Sequence, residues 1–523
     1  MIPLILVWLR AAGLIGQAVA LGGAAFAVVV LPRARTEVRT RAVDLTLTLV
    51  ALGASIAAIA QTGTLAALAA ELAGERTWPV AALLGSTVGL SGLARIACAL
   101  IVAGMALVLR RAPLSRARRV ALVIAAVLLS ATGTLATHAV GWVGSSVWTV
   151  IVSIVHQAGA GVWVGGLVCA AVLAFRRDGA APEAWLRPFS ALAATAVGAL
   201  ALTGAAMSIL YIRTPGAAIG TSYGAMVLTK VTLFAALLIL AALNHRALHG
   251  RLASSGHAFL LRRRLEVEAG VAVVAIFLAA SIGAAPPAID VGADRVTLAE
   301  IQRVLTPQWP RLTSPSLAEL TAVPGFGDAS AARGDAETEW SEFGHHVAGM
   351  FIITMGVLAI LERTGRAPWA RHWPLLLIGL TVFVAYNMDP EGWQTGRVGF
   401  WQQLLGLEVL QHRILLLLTA MLGLAEWRVR SGRNPGSPWR YVFPLVFIAS
   451  GTLLLSHAHE LSNVKAAFLM ELTHLPMGLV VLVAGWARWL ELRLPPGDGE
   501  RAGRLWGPAL LAFGLLLVAY REG

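Results

Sequence analysis

Apolar runs alternate with short polar loops along almost the whole chain. Most runs are roughly 17–25 residues long, the length of helix that crosses the hydrocarbon core of a bilayer, and we count about fourteen of them. The predicted spans are residues 4–31, 43–64, 83–109, 120–138, 148–175, 189–212, 225–244, 266–285, 343–361, 374–388, 407–427, 441–457, 466–490 and 505–520. The pattern predicts an all-α, polytopic integral membrane bundle.

One polar stretch interrupts the series between the eighth and ninth runs. Residues 286–342 are rich in Pro, Ser and Asp, which favours an irregular connection with one short helix at Leu298 to Leu305. We therefore expect three parts: an eight-helix membrane domain over residues 1–285, this linker segment on the outer (periplasmic) face, and a histidine-rich six-helix membrane domain over residues 343–523.

Composition supports a membrane protein and changes the interpretation of the charge. The 523 residues are 57% hydrophobic and 13% charged, against about 25% charged in soluble domains. A net charge of +13 could indicate nucleic acid, but most of the 41 basic residues lie in alternate short loops. Positive loops mark the cytoplasmic side. This distribution predicts a lipid bilayer rather than nucleic acid as partner, with both termini on the outer side.

Several classes of function find no support in the sequence. Cys98 and Cys169 lie within apolar runs and form no CxxC motif, so no disulfide framework or cysteine metal site is expected. No P-loop, GxSxG elbow or HExxH motif is present, which argues against ATP-driven transport and hydrolysis. A transporter is therefore favoured over an enzyme.

Histidines concentrate near the predicted outer ends of the helices. A histidine at membrane depth is costly without a partner, and neutral imidazole is a common ligand of copper and other transition metals. We predict metal ligands among His138, His156, His345, His346, His412, His457, His459 and His474.

The densest group lies between Gly451 and Gly485. His457 and His459 end one predicted helix, and His474 lies inside the next, with Glu471 one turn earlier, where it could orient the imidazole. Residues 133–166 form a weak echo of this stretch, in which His138 and His156 have similar spacing. The echo suggests that paired histidines near one membrane face are used twice.

A second interpretation comes from a different class of protein. Histidines on facing helices can hold b-type haem, with the iron bound axially by two imidazoles. His412 with His474, or His346 with His457, would be natural axial pairs. The protein would then be a membrane oxidoreductase that passes electrons between quinol and a periplasmic acceptor. Both interpretations remain open at this point.

The first eight spans resemble the CopD/PcoD copper-resistance membrane proteins. The resemblance rests on collinear short motifs: THA at His138, VHQAGAGVWVGGL from His156, FS at Phe189, LTG at Leu202, YGAMVLTK ending at Lys230, and LNHR at Leu243. It implies a bacterial cytoplasmic-membrane protein that handles periplasmic copper, delivered by a periplasmic copper carrier. It points to His138 and His156, with Trp163 and Gly165–Gly166 as packing elements.

The leading hypothesis is a protein that binds copper at its outer face and moves it across the cytoplasmic membrane. The six-helix part is an addition to the CopD-like part, and its larger number of histidines makes it the preferred place for tightly bound metal. Copper would be lost at low pH, because protonation removes the imidazole lone pair. The sequence does not indicate the direction of transport or the oligomeric state.

Overall fold

The structure is a computed structural model of the 523-residue chain. It describes residues 2–33, 36–73, 80–111, 115–134, 146–175, 183–249, 255–326, 334–390, 392, 394–396, 398–404, 407–432, 437–456 and 464–522. All regular structure in these residues is helical. The predicted all-α class is confirmed.

The described α-helices are numbered in chain order. The first eleven are α1 Ile2–Ala25, α2 Thr36–Ala73, α3 Val80–Gly85, α4 Thr87–Arg111, α5 Arg116–Thr134, α6 Val147–Ala160, α7 Gly166–Phe175, α8 Glu183–Tyr211, α9 Pro215–Ile219, α10 Ser222–His249 and α11 Ser255–Ile282. The others are α12 Leu298–Leu305, α13 Leu317–Thr321, α14 Asp335–Arg363, α15 Leu375–Asn387, α16 Phe400–Gln403, α17 Leu407–Arg430, α18 Val442–Leu455, α19 Val464–Arg493, α20 Asp498–Gly503 and α21 Trp506–Val518. Five-residue π-helical turns continue α1 over Phe26–Val30 and join α6 to α7 over Gly161–Gly165.

Twelve helices in the described part of the chain are long and apolar enough to cross a membrane. They match twelve of the fourteen predicted spans and support a polytopic bundle. The other two predicted spans coincide with α15, an apolar helix of 13 residues, and with the 24-residue α17.

The polar segment between the two membrane parts is more helical than expected. The predicted short helix is confirmed as α12, which begins with a capping box between Thr297 and Glu300. Hydrogen bonds from the Thr297 backbone and hydroxyl lower the pKa of the Glu300 carboxyl to about 2. The ninth long helix, α14, begins at Asp335 rather than 343, because Asp335 and Glu337 place acidic side chains in its first turn, where they complement the helix dipole.

The chain folds as two compact units. The N-terminal unit comprises Ile2–Pro215 and Val227–Asp290, and the C-terminal unit comprises Gly216–Met226 and Val291–Gly523. Each has its own apolar core.

In the N-terminal unit, α1 packs against α2, α5, α7, α11 and the π-helical turn after α6. Glycines allow the closest of these approaches. A methyl group added at Gly165 would lie 1.8 Å from the Ala18 carbonyl oxygen, and one at Gly22 would lie 2.4 Å from the Gly166 nitrogen. Small residues bring membrane helices into close contact in this way.

In the C-terminal unit, six helices form a closed ring. The order is α14, α15, α17, α18, α19 and α21, with each helix packed on the next and α21 packed on α14. The side chains of Trp373, Phe443 and Trp506 lie inside it with at most 2% exposure and form edge and tilted ring contacts.

A buried ion network lies at the end of the ring where α14, α17 and α19 terminate. Glu426 is fully buried, and its Oε1 accepts from Arg430 Nε at 2.7 Å and from Arg488 Nη2 at 3.2 Å. Three glutamates and three arginines take part: Glu362, Glu426 and Glu491 with Arg363, Arg430 and Arg488. The indole N–H groups of Trp373 and Trp506 donate to Glu362 and Glu491. The charges are therefore balanced inside the network.

Gly165→Ala should destabilise the N-terminal unit, because the new methyl group collides with backbone that cannot move freely. Overpacking of this kind costs about 1–3 kcal/mol. Gly104→Ala in α4 is the matched control, since nothing lies within 4 Å of its added carbon. Thermal unfolding in detergent should show a lower Tm for Gly165→Ala alone, and equal Tm values for the two variants would contradict the packing described.

Glu426→Gln should destabilise the C-terminal unit strongly. Removing one partner from a buried pair leaves uncompensated charge and typically costs about 3–5 kcal/mol. Asp498→Asn is the control, because the Asp498–Arg501 pair is exposed and contributes little. If Glu426→Gln has the same Tm as the wild type, the network does not stabilise the ring.

Candidate functional site

Three histidines lie at the opposite end of the ring from the ion network. His345 is in the third turn of α14, His412 is near the start of α17, and His474 is inside α19. The ring centroids of His345 and His474 are 6.1 Å apart, with the rings at 89°. His345 also interacts electrostatically with His412.

Tyr520, which follows α21, completes this group. Its ring stacks on His345 with centroids 3.9 Å apart and meets the His474 ring edge-on at 5.8 Å. Tyr520 is 2% exposed, so the imidazole pair has one dry aromatic wall.

Backbone hydrogen bonds fix the tautomer of both paired imidazoles. His345 Nδ1 lies 2.8 Å from the Ser341 carbonyl oxygen, and His474 Nδ1 lies 2.7 Å from the Met470 carbonyl oxygen. A carbonyl oxygen only accepts, so Nδ1 carries the proton in each ring and Nε2 keeps the lone pair. Metal-binding histidines are oriented by this type of hydrogen bond.

His346 differs from its neighbour. Its Nδ1 accepts from the Arg311 backbone N–H at 2.7 Å, and its Nε2 donates to the Tyr520 carbonyl oxygen at 2.9 Å. The side chain is fully buried. Both nitrogens thus bind backbone, and the ring joins the polar segment before α14 to the residue that follows α21.

His412 is held by a carboxylate that the sequence analysis did not single out. Its Nδ1 lies 3.0 Å from Asp389 Oδ1, and Arg413 lies on the other carboxylate oxygen at 3.8 Å. Asp389 is 8% exposed and has a φ of 55°, a conformation that costs a non-glycine residue about 1–3 kcal/mol. The Asp-Pro pair after a predicted span was the available signal, but it indicates only a turn.

Other predicted ligands cannot be placed. His138, His457 and His459 lie outside the described residues. Within the described residues, no three His, Cys, Asp or Glu side chains form a group that could hold a metal ion. The described candidate is therefore the His345–His474 pair, with His412 nearby.

In the N-terminal unit, His156 lies against α8. Its Nδ1 is 3.0 Å from Thr203 Oγ1, and the ring also bonds the Leu200 backbone. Gly204 lies beside the ring, where an added methyl group would be 3.4 Å from His156 Cε1. Lys230 is close enough to act electrostatically on the imidazole, and this positive charge opposes metal cations.

Two motifs of the CopD/PcoD resemblance, FS and LNHR, contact each other. Ser190 Oγ lies 2.9 Å from His245 Nδ1, which joins the FS motif of α8 to the LNHR motif of α10. Phe189 packs against Gly166 and lies 5.7 Å from the Phe26 ring centroid. These motifs therefore fix how α8 packs on its neighbours.

The donor set of the imidazole pair suits copper. Imidazole is a good copper ligand. Two imidazoles that share one ion at a nitrogen–metal distance of about 2.0–2.1 Å have ring centroids about 5–6 Å apart, close to the observed separation.

Comparison with known proteins identifies one region. Residues 183–282 match the family model of copper resistance protein D, CopD. The match covers α8, α10 and α11 and includes Ser190, Thr203, Lys230 and His245. The chain matches no curated protein and no solved structure. This is a multi-pass membrane protein, and residues 183–282 are similar to the copper resistance protein D family.

Proposed function

We propose that the protein binds copper at the imidazole end of the C-terminal unit and moves it across the bacterial cytoplasmic membrane. The carrying observation is the His345–His474 pair, whose ring centroids are 6.1 Å apart beside a buried aromatic wall and whose Nδ1 atoms both donate to backbone carbonyl oxygens. The CopD region over residues 183–282 supports copper as the metal.

His412 and Asp389 form the entrance side of the proposed site. His412 is part-exposed, with a side-chain exposure of 25%, and the buried Asp389 carboxylate adds negative charge that favours a cation. A carboxylate that binds one imidazole nitrogen orients the ring and makes the other a better ligand. His457 and His459 remain sequence-based candidates for completing the ligand set. His346 is omitted from the set, since backbone groups bind both its nitrogens.

His138 and His156 are proposed as a second, weaker copper site in the N-terminal unit. The Thr203 hydroxyl contacts Nδ1 of His156, so Nε2 is the nitrogen proposed to bind copper in this site. Lys230 lowers the expected affinity for cations there. Tight binding is therefore assigned to the C-terminal unit.

The proposed orientation places the histidine end on the periplasmic side, where a periplasmic copper carrier would deliver the ion. The arginine-rich loops would lie in the cytoplasm, in agreement with the positive-inside rule, and both termini would face outward. The ion network would then lie at the cytoplasmic end of the ring.

Haem b between quinol and a periplasmic acceptor remains the alternative, but no observation favours it. One of its two axial pairs requires His346, whose nitrogens bind backbone groups. An absorption spectrum of oxidised and dithionite-reduced protein separates the two hypotheses. A Soret band would overturn the copper proposal at these histidines.

His345→Ala and His474→Ala should each weaken Cu(I) binding by roughly tenfold or more, because each removes one of two paired ligands. The measurement is copper content and affinity of purified full-length protein, prepared under reducing conditions. His346→Gln is the control at the adjacent position. It should lower Tm, since it removes buried hydrogen bonds, yet keep the copper affinity of the folded protein. Wild-type affinity in both alanine variants would refute the site.

Transport is tested separately in cells. Cells that express the wild type should accumulate copper faster than cells that express His474→Ala at equal membrane abundance. If cells expressing His474→Ala accumulate copper as fast as cells expressing the wild type, although the variant binds less copper, the transport part of the proposal is wrong and only copper binding at the membrane is left.

The orientation is tested by labelling single cysteines in a background that lacks Cys98 and Cys169. Ser314 and Ser115 are both exposed, in the polar segment and in a predicted cytoplasmic loop. A membrane-impermeant maleimide should label Ser314→Cys in intact spheroplasts and label Ser115→Cys only after permeabilisation. The reverse pattern would invert the proposed topology.

A further inference from the structure

A buried polar layer crosses the interior of the N-terminal unit. Five helices contribute one side chain each: Gln17 from α1, Gln61 from α2, Arg95 from α4, Ser130 from α5 and Gln157 from α6. Gln17 is the hub and is 3% exposed. Its amide nitrogen donates to Ser130 Oγ at 3.0 Å and to Gln157 Oε1 at 3.3 Å, and its amide oxygen accepts from Arg95 Nη2 at 3.0 Å.

Arg95 carries a full charge into this layer and has no counterion among the described residues. It is 9% exposed, and its two hydrogen bonds go to neutral amides, Gln17 and Gln61. Its Nε is buried without a hydrogen-bond partner. A second cation, Arg10, precedes Gln17 by two turns on the same face of α1 and acts electrostatically on Arg95. Within the described part of the chain, neither Arg10 nor Arg95 forms an ion pair with a carboxylate.

Three carboxylates of the N-terminal unit already have partners other than Arg10 and Arg95. Asp44 pairs with Arg110. Glu266 pairs with Arg263, and Glu268 accepts from the Asn244 amide at 2.7 Å. The buried arginines of the C-terminal unit, in contrast, are balanced by glutamates.

Two neighbouring cations inside a membrane unit are costly, and such charges normally mark a binding site and pair with opposite charge. The planar guanidinium offers N–H donors in a fork that matches the oxygens of phosphate or carboxylate. Arg95 keeps its Nε–H for such a ligand, and Arg10 adds a second positive charge beside it. The missing counterion therefore has the chemistry of an oxyanion.

We propose that Arg95 and Arg10 bind a phosphate oxyanion within the N-terminal unit, with Gln17 and Gln61 holding the Arg95 guanidinium in position. The phosphate belongs either to the headgroup of an anionic phospholipid or to inorganic phosphate. The site is independent of the His345–His474 copper site, since it contains no histidine and lies wholly in the N-terminal unit.

The test uses delipidated full-length protein in detergent at constant ionic strength. Tm is measured during titration with phosphatidylglycerol in mixed micelles, with phosphatidylcholine as the neutral lipid, and separately with inorganic phosphate. A ligand that binds only the folded state raises Tm in proportion to its saturation. We expect phosphatidylglycerol or phosphate to stabilise the wild type. Stabilisation by the lipid alone identifies the headgroup, and stabilisation by phosphate alone identifies the free ion.

Arg10→Gln is the decisive variant, because Arg10 makes no hydrogen bond to a described residue and its loss should leave the fold intact. Its apparent affinity for the stabilising ligand should fall roughly tenfold, the effect of losing one modest charge interaction. Arg95→Gln should abolish the effect. Arg110→Gln removes the same charge from the Asp44 pair and should retain wild-type affinity. Absence of stabilisation by either ligand, or equal affinity in Arg10→Gln and Arg110→Gln, would overturn the proposal.

Discussion

The C-terminal unit depends on charge that is buried and balanced inside itself. Glu426 has no exposed surface, and Arg430 and Arg488 reach it from α17 and α19. In a low-dielectric interior, these ions are stable only while every partner is present. The network therefore holds three helix ends in register at one end of the ring, and the fixed helices place His345 and His474 at the other end.

Much of the fold could be predicted from hydrophobic length alone. Twelve candidate spans match the apolar runs, and α12 has the predicted bounds, Leu298–Leu305. The start of α14 was missed because its first two turns are polar and lie outside the apolar run, although acidic residues favour a helix start there.

The site was predictable in its residue types but not in its arrangement. The sequence places histidines at the predicted outer ends of helices. It could not show that His345 bonds backbone through Nδ1, whereas both nitrogens of His346 bond backbone groups. That distinction depends on helix rotation, which packing sets. Asp389 and the ion network were also missed, since a carboxylate in a turn and arginines near helix ends look the same whether they are exposed or buried.

The ring of the C-terminal unit closes between helices that are far apart in the chain, because α21 packs on α14 and Tyr520 stacks on His345. Contacts of such long sequence separation cost more chain entropy to close than local contacts do. The imidazole pair gains its aromatic wall only when α21 has docked on α14. A nascent chain that already displays His345 and His474 still lacks this enclosed environment, so the surroundings of the pair are completed by the last helix of the ring.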